Sequence, residues 1–187
     1  VDWDTKALAK RLSVLRQANG LTLRFTVREL ISFGRFPYCQ GNLTADDNHI
    51  IDQAISYLDL TTIEHKYLDE LSGGQRQLAF IAMVIAQDTD YVFLDEPLNN
   101  LDIKHSLQIM ATIKRLAHEL NKAVVIVIHD INFASCYADT IIALKKGKIV
   151  AKGQVEQVID AKVLGEIYET PFNVIEVDNK RVCLYYA

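Results

Sequence analysis

Hydrophobic and polar positions along this chain change their period several times, and each change predicts an element. Residues 12–15 form a short apolar run that predicts a strand, ending at Arg16-Gln17. Over residues 17–71 the pattern turns helical. Residues 27–33 carry an apolar face, residues 34–42 interrupt it, and Thr44-Ala-Asp-Asp47 marks a helix start with carboxylates in its first turn. Ile50, Ile51, Ala54, Ile55 and Leu58 continue at helical spacing. A buried helix follows over residues 75–87, then a turn over 88–90 and a strand over 91–94. Residues 104–120 are amphipathic, with Leu107, Met110, Ala111, Ala117 and Leu120 on the apolar face. Residues 124–128 are β-branched and apolar on both faces, as in the middle of a parallel sheet. Residues 140–144 and 148–152 flank Lys145-Lys-Gly147, which predicts a hairpin with a charged tip. A last helix is expected over residues 155–168, followed by a strand.

Strand, helix, strand, helix, strand implies an α/β fold with a parallel sheet. No comparable strand lies between residues 17 and 71, so that stretch reads as a helical lobe inserted into the sheet. The expected organisation is one domain over 1–187. Its helical subdomain spans about 18–88, and 1–17 with 89–187 form the remaining α/β core and C-terminal segment.

Composition narrows the function classes. The 187 residues are 50% hydrophobic with a net charge of −4, which excludes a disordered chain. The longest apolar runs, over 80–86 and 123–128, fall far short of the ~20 residues that span a bilayer. Lys and Arg number 20 against 24 Asp and Glu, so no basic footprint for nucleic acid shows. Cys39, Cys136 and Cys183, odd in number and far apart, read as reduced thiols of a cytosolic protein. The chain opens on Val1, its only methionines are Met83 and Met110, and no signal peptide shows. An upstream segment removed by processing or expression is therefore expected.

Ligands of open α/β sheets bind at the carboxyl ends of the strands. One predicted strand ends in Asp95-Glu96-Pro97, another in His129-Asp130, and the first in Gln17. An acidic pair, a histidine and an amide would thus share one edge. One carboxylate could hold a hard cation through water, and the other could take a proton from an attacking water. A plain polar turn accounts for the same Asp-Glu-Pro. In Leu71-Ser-Gly-Gly-Gln75, Ser72 is a good N-cap and the glycines permit close backbone approach, an arrangement that suits a phosphate at a helix start. A loop that merely caps a helix is the alternative. His49, His65, His105 and His118 show no ligand spacing and read as surface residues.

Together these strings carry a family resemblance. Leu71-Ser-Gly-Gly-Gln75 is identical to the signature motif of ATP-binding cassette (ABC) ATPases. Tyr91-Val-Phe-Leu-Asp-Glu96 resembles their Walker B strand, Asn99-Asn-Leu-Asp102 their D-loop, His129 their switch histidine and Gln17 their Q-loop glutamine. Thr26-Val-Arg-Glu-Leu30 with Gly34-Arg-Phe-Pro-Tyr38 is similar to a segment in importers of iron–siderophores, haem and cobalamin.

The resemblance implies a P-loop NTPase-like core, here incomplete, with an inserted helical subdomain carrying the signature motif. It implies the nucleotide-binding subunit of an importer, taking up a siderophore-like iron compound from the cytoplasmic face of the inner membrane. Two copies would sandwich ATP with Mg²⁺ and work with permease subunits and, indirectly, a substrate-binding protein. Ser72, Gly73, Gly74 and Gln75 would contact nucleotide held by the other copy. Asp95 and Gln17 would serve the metal, Glu96 would be the general base, His129 would steady the γ-phosphate and Asp102 would couple the two sites. The family's Gly-x-x-x-x-Gly-Lys is missing, because none of the eight glycines forms that string. The chain by itself is therefore expected to be inactive. Rival readings are a non-transport ABC ATPase acting on DNA or ribosomes, and an interaction module without a P-loop.

Overall fold

The computed structural model describes residues 3–16 and 24–185, which divide between two compact units, Val1–Val127 and Ile128–Ala187. In the first unit, a short helix α1 (Thr5–Ala9), capped by the Asp4 carboxylate, leads into β1 (Leu12–Leu15). The chain then makes α2 (Val27–Ser32), α3 (Phe36–Cys39), α4 (Ala45–Tyr57) and α5 (Gly73–Ala86) before returning to the sheet as β2 (Tyr91–Asp95). Helix α6 (Ile103–Glu119) crosses to β3 (Ala123–Val127). The strands are parallel in the order β1-β2-β3, with Leu15 beside Leu94 and Asp95 beside Val127. The α/β class and the parallel sheet expected from the sequence are both present.

Each of the longer lobe helices starts where a side chain can satisfy its free N–H groups. Thr26 accepts from the Glu29 N–H, and Thr44 from the Asp47 N–H, both at 3.2 Å. The carboxylates of Glu29 and Asp47 reach back to the backbone N–H of their caps at 2.7 and 3.0 Å. Val27, Ile31, Ile51, Ala79 and Ile81 fill the interior of the lobe, none more than 1% exposed.

Several local expectations are corrected. The break expected over residues 34–42 is confined to Gln40 and Gly41, both with positive φ, because a tight turn and α3 carry the chain as far as Cys39. Gly34 permits packing rather than ending a helix. A Cβ there would lie 2.2 Å from the Met83 carbonyl oxygen of α5. Helix α6 buries Ile109, Met110, Ile113 and Leu116, whereas Leu107 is 46% and Leu120 38% exposed. Its buried stripe thus runs through Ile109 and Ile113, with Ser106 and Thr112 buried beside them, so polarity misplaced the predicted face.

Among the described residues β3 is an edge of the sheet, and β2 is central. Ser13, Leu15, Val92 and Leu94 are buried on one face of the sheet. On the other face Val14, Phe93 and Val125 stand in register as one row, with Tyr91 and Val127 nearby, and each is at least 40% exposed. The apolar character of β3 on both faces is therefore answered by packing on one face only.

The second unit begins with α7 (Ile131–Tyr137), followed by the hairpin β4 (Thr140–Lys145) and β5 (Lys148–Gln154). Its tip is the predicted one. Lys146 and Gly147 both take positive φ, as a two-residue hairpin turn requires. The single helix expected over residues 155–168 is two, α8 (Val155–Val158) and α9 (Ala161–Tyr168). Asp160 separates them by accepting from the N–H groups of Lys162 and Val163 and so capping the second. The expected last strand is a hairpin, β6 (Asn173–Val177) and β7 (Lys180–Leu184), turning at Asp178-Asn179. Ile159, Leu164 and Cys183 form its core, and the Asn132 amide pairs with both backbone groups of Cys183.

Candidate functional site

Among the described residues, the predicted site residues of the first unit lie at the start of α5 and from the end of β2 to the start of α6. Ser72 caps α5 and accepts from the Gln75 N–H at 3.3 Å, while the Gln75 side chain accepts from the Ser72 N–H at 3.1 Å. This box fixes the first turn of a 14-residue helix, whose positive dipole end suits an anion. Ser72, Gly73 and Gln75 are exposed at this end; Gly74 is buried.

At the carboxyl end of β2, Asp95 and Glu96 are half-buried. The Glu96 N–H donates to the Val127 carbonyl at 3.0 Å, which prolongs the β2–β3 ladder by one step. Glu96 then turns the chain with φ of 49°, Asn100 turns it again with φ of 61°, and between them Pro97 is buried. The Asn99 amide donates to the Glu96 carboxylate. Sequence reasoning did not single out Asn99 as the partner of Glu96, although its i,i+3 spacing permits the bond.

Asp102 caps α6. Its Oδ1 lies 2.8 Å from the His105 backbone nitrogen and 2.8 Å from the ring Nδ1. The backbone N–H of His105, and then its ring, hold the Asp102 carboxyl below the ordinary carboxylate range. His105, read from the sequence as a surface residue, is half-buried against the start of α5. The usable signal was an N-cap aspartate followed three residues later by a histidine.

The predicted Q-loop residue Gln17 lies outside the described residues. His129 belongs to the second unit, two residues beyond the end of β3, and is exposed there. Asp130 beside it caps α7 through the N–H groups of Asn132 and Phe133. Among the described residues, no three His, Cys, Asp or Glu side chains gather as a metal cluster, and no helix is long and apolar enough to cross a membrane.

The ABC transporter family model matches residues 1–99. This chain belongs to the ABC transporter ATPase family. It is 59% identical over 184 residues to the petrobactin import ATP-binding protein YclP of Bacillus subtilis, covering 98% of this chain and 73% of that relative. It is 36% identical over 186 residues to the iron(3+)-hydroxamate import ATP-binding protein FhuC of the same organism, covering 97% and 69%. The ferric enterobactin transport ATP-binding protein FepC of Escherichia coli is 37% identical over 167 residues, covering 88% and 61%. An inward-facing ABC transporter superposes with a TM-score of 0.85 over 94% of this chain and 72% of its own, at 24% identity, which bears on the fold. The ATP-binding cassette MJ0796, a dimer in a post-hydrolysis state bound to ADP and Pi, superposes with a TM-score of 0.68 at 28% identity, covering 82% and 68%. ATP is the ligand of the ABC ATPase family, and hydrolysis coupled to transport is its activity. The helix that Ser72 caps and the strand that ends at Asp95 lie in one compact unit.

Proposed function

We propose that this chain is the greater part of the nucleotide-binding subunit of an importer that couples ATP hydrolysis to uptake of a siderophore-like iron compound. One observation carries the reading. A capped signature helix and a strand ending in Asp95-Glu96 belong to one compact unit, joined by the segment that runs to Asp102. The cargo is supported by relatives named for petrobactin, iron(3+)-hydroxamate and ferric enterobactin. The subunit would act as a peripheral protein on the cytoplasmic face of the inner membrane, as a dimer bound to permease subunits. A substrate-binding protein would deliver the cargo, and no nucleic acid takes part. Residues of about 18–88 would form the helical subdomain of one ATPase domain, with Thr22 to Tyr38 facing the permease.

In this reading Ser72, Gly73, Gly74 and Gln75 contact nucleotide held by the second copy at the open end of α5, where Gly74 is the buried one of the four. The donor set at β2 fits Mg²⁺, a hard cation that takes oxygen ligands and keeps several waters. Asp95, half-buried at the strand's end, would hold it through water, and Gln17 would add an amide oxygen. The metal's contribution is neutralisation of phosphate charge. Glu96 takes the proton of the attacking water, with Asn99 orienting its carboxylate. His129 steadies the γ-phosphate, and Asp102 couples the two sites across the dimer. The Gly-x-x-x-x-Gly-Lys cradle is not among these 187 residues, so the groups named here would act on phosphates that other residues hold.

Disruption of the gene in its native host tests the cargo. Uptake of radioiron bound to a catecholate or hydroxamate siderophore should be lost and should return with the intact gene. Undiminished uptake of all such complexes would remove the iron assignment while leaving the ATPase reading in place.

A further inference from the structure

Gly74 is buried while Ser72, Gly73 and Gln75 around it are exposed, and the group that covers it is the ring of His105. A Cβ added to Gly74 would lie 2.3 Å from His105 Cδ2, 2.6 Å from Cγ and 3.1 Å from Cβ. The ring thus fills the space a side chain would need. It is not a freely swinging group, because Asp102 Oδ1 takes both its Nδ1 and the backbone N–H of the same residue, each at 2.8 Å. Leu101 makes a lighter contact alongside, with Cδ2 3.5 Å from where a Gly73 Cβ would be. Residues 101–105 therefore brace two successive glycines of the signature motif, and they follow closely on Asn99, which holds Glu96.

We infer that His105 is a positioning residue. Locked by Asp102, it props the start of α5 from beneath so that Ser72 and Gly73 face the nucleotide of the second copy. The inference rests on the proposed role of the signature motif. It gives Gly74 a purpose of its own, which is to admit the imidazole.

The experiment uses the intact ATPase in a Glu96→Gln background, with ATP-driven dimerisation followed by light scattering and turnover measured with Glu96 restored. His105→Ala should raise the ATP concentration for half-dimerisation about tenfold, a size typical of coupling between residues in contact. Turnover should fall while the melting temperature and the monomer's affinity for ATP stay near wild type. Gly74→Ala should abolish dimerisation, and adding His105→Ala to it should restore part by vacating the space. Wild-type dimerisation and turnover in His105→Ala would overturn the inference, and so would a double variant no better than Gly74→Ala. Ser72→Ala separates this from failure of the underlying reading. If Ser72→Ala loses dimerisation while His105→Ala keeps it, only the role of His105 falls. If both keep it, the nucleotide contact falls as well.

Discussion

Arg35 donates from Nε to Asp47 Oδ1 at 2.9 Å, and the two side chains are only 7% and 6% exposed. The same guanidinium donates to the Ala86 carbonyl at 2.9 Å and lies 4.0 Å above the Tyr38 ring. One buried cation thus joins the first turn of α4, the last turn of α5 and the side of α3. A lone buried charge is strongly unfavourable, and each of these partners offsets that penalty.

Arg35→Ala should destabilise the helical lobe more than any change on its surface. It leaves Asp47 buried without its cation and removes the donor to Ala86. A fall in melting temperature of roughly 5 to 10 °C is expected. A melt within about 1 °C of wild type would show that Thr44 alone satisfies Asp47.

Acid should reveal the same site. The Asp47 carboxyl is held down to about 2 from an ordinary 3.8, first by the Thr44 backbone N–H, then by the Thr44 hydroxyl and Arg35. A depressed carboxylate adds stability that is complete above its unfolded value and is lost as pH falls through its folded one. The gap in melting temperature between wild type and Asp47→Asn should therefore be widest above about pH 4 and close toward pH 2. A gap constant over that window would assign the stability to packing instead.

The 187-residue chain alone should bind nucleotide feebly and hydrolyse none. It lacks the backbone cradle and lysine that hold the phosphates. Titration calorimetry with Mg-ATP should show little heat. Tight stoichiometric binding would mean that other groups form the cradle.

In the intact ATPase, Glu96→Gln should bind ATP and accumulate the dimer while turnover drops by about 10²–10⁴-fold, the usual worth of a general base. The amide keeps the shape and can still meet Asn99. Near-normal steady-state hydrolysis would shift the base to another residue.

His129→Ala should leave the fold intact, since its side chain is exposed and such changes stay within about 0.5 kcal/mol. If His129 steadies the γ-phosphate, kcat falls at unchanged ATP affinity, as for interactions made mainly in the transition state. A lowered melting temperature with unchanged turnover would make it a structural residue.

What the sequence revealed and what it hid divide by range of interaction. The helix starts at Thr44 and Ser72 were readable because a cap and the N–H groups it meets lie within four residues. The signature string and Asp95-Glu96 could be proposed from the sequence because their chemistry lies in consecutive residues. Gly34 was misread as a breaker because its reason is the Met83 carbonyl, nearly fifty positions away. His105 was passed over because Gly74, which it covers, is distant in sequence and near only after α5 and α6 pack. Asp160 was absorbed into a helix because its apolar flanks keep helical spacing through the cap.

Val14, Phe93 and Val125 form an unbroken apolar row across three strands, with Tyr91 and Val127 extending it, and all five are 40% exposed or more. In the 187-residue chain by itself, water meets this apolar row while the fold is intact. The isolated chain is in this respect a colloid as much as a catalyst component. Its native fold should light up environment-sensitive dyes, its apparent mass should climb with concentration and with sulfate, and a trace of mild detergent should bring it back down.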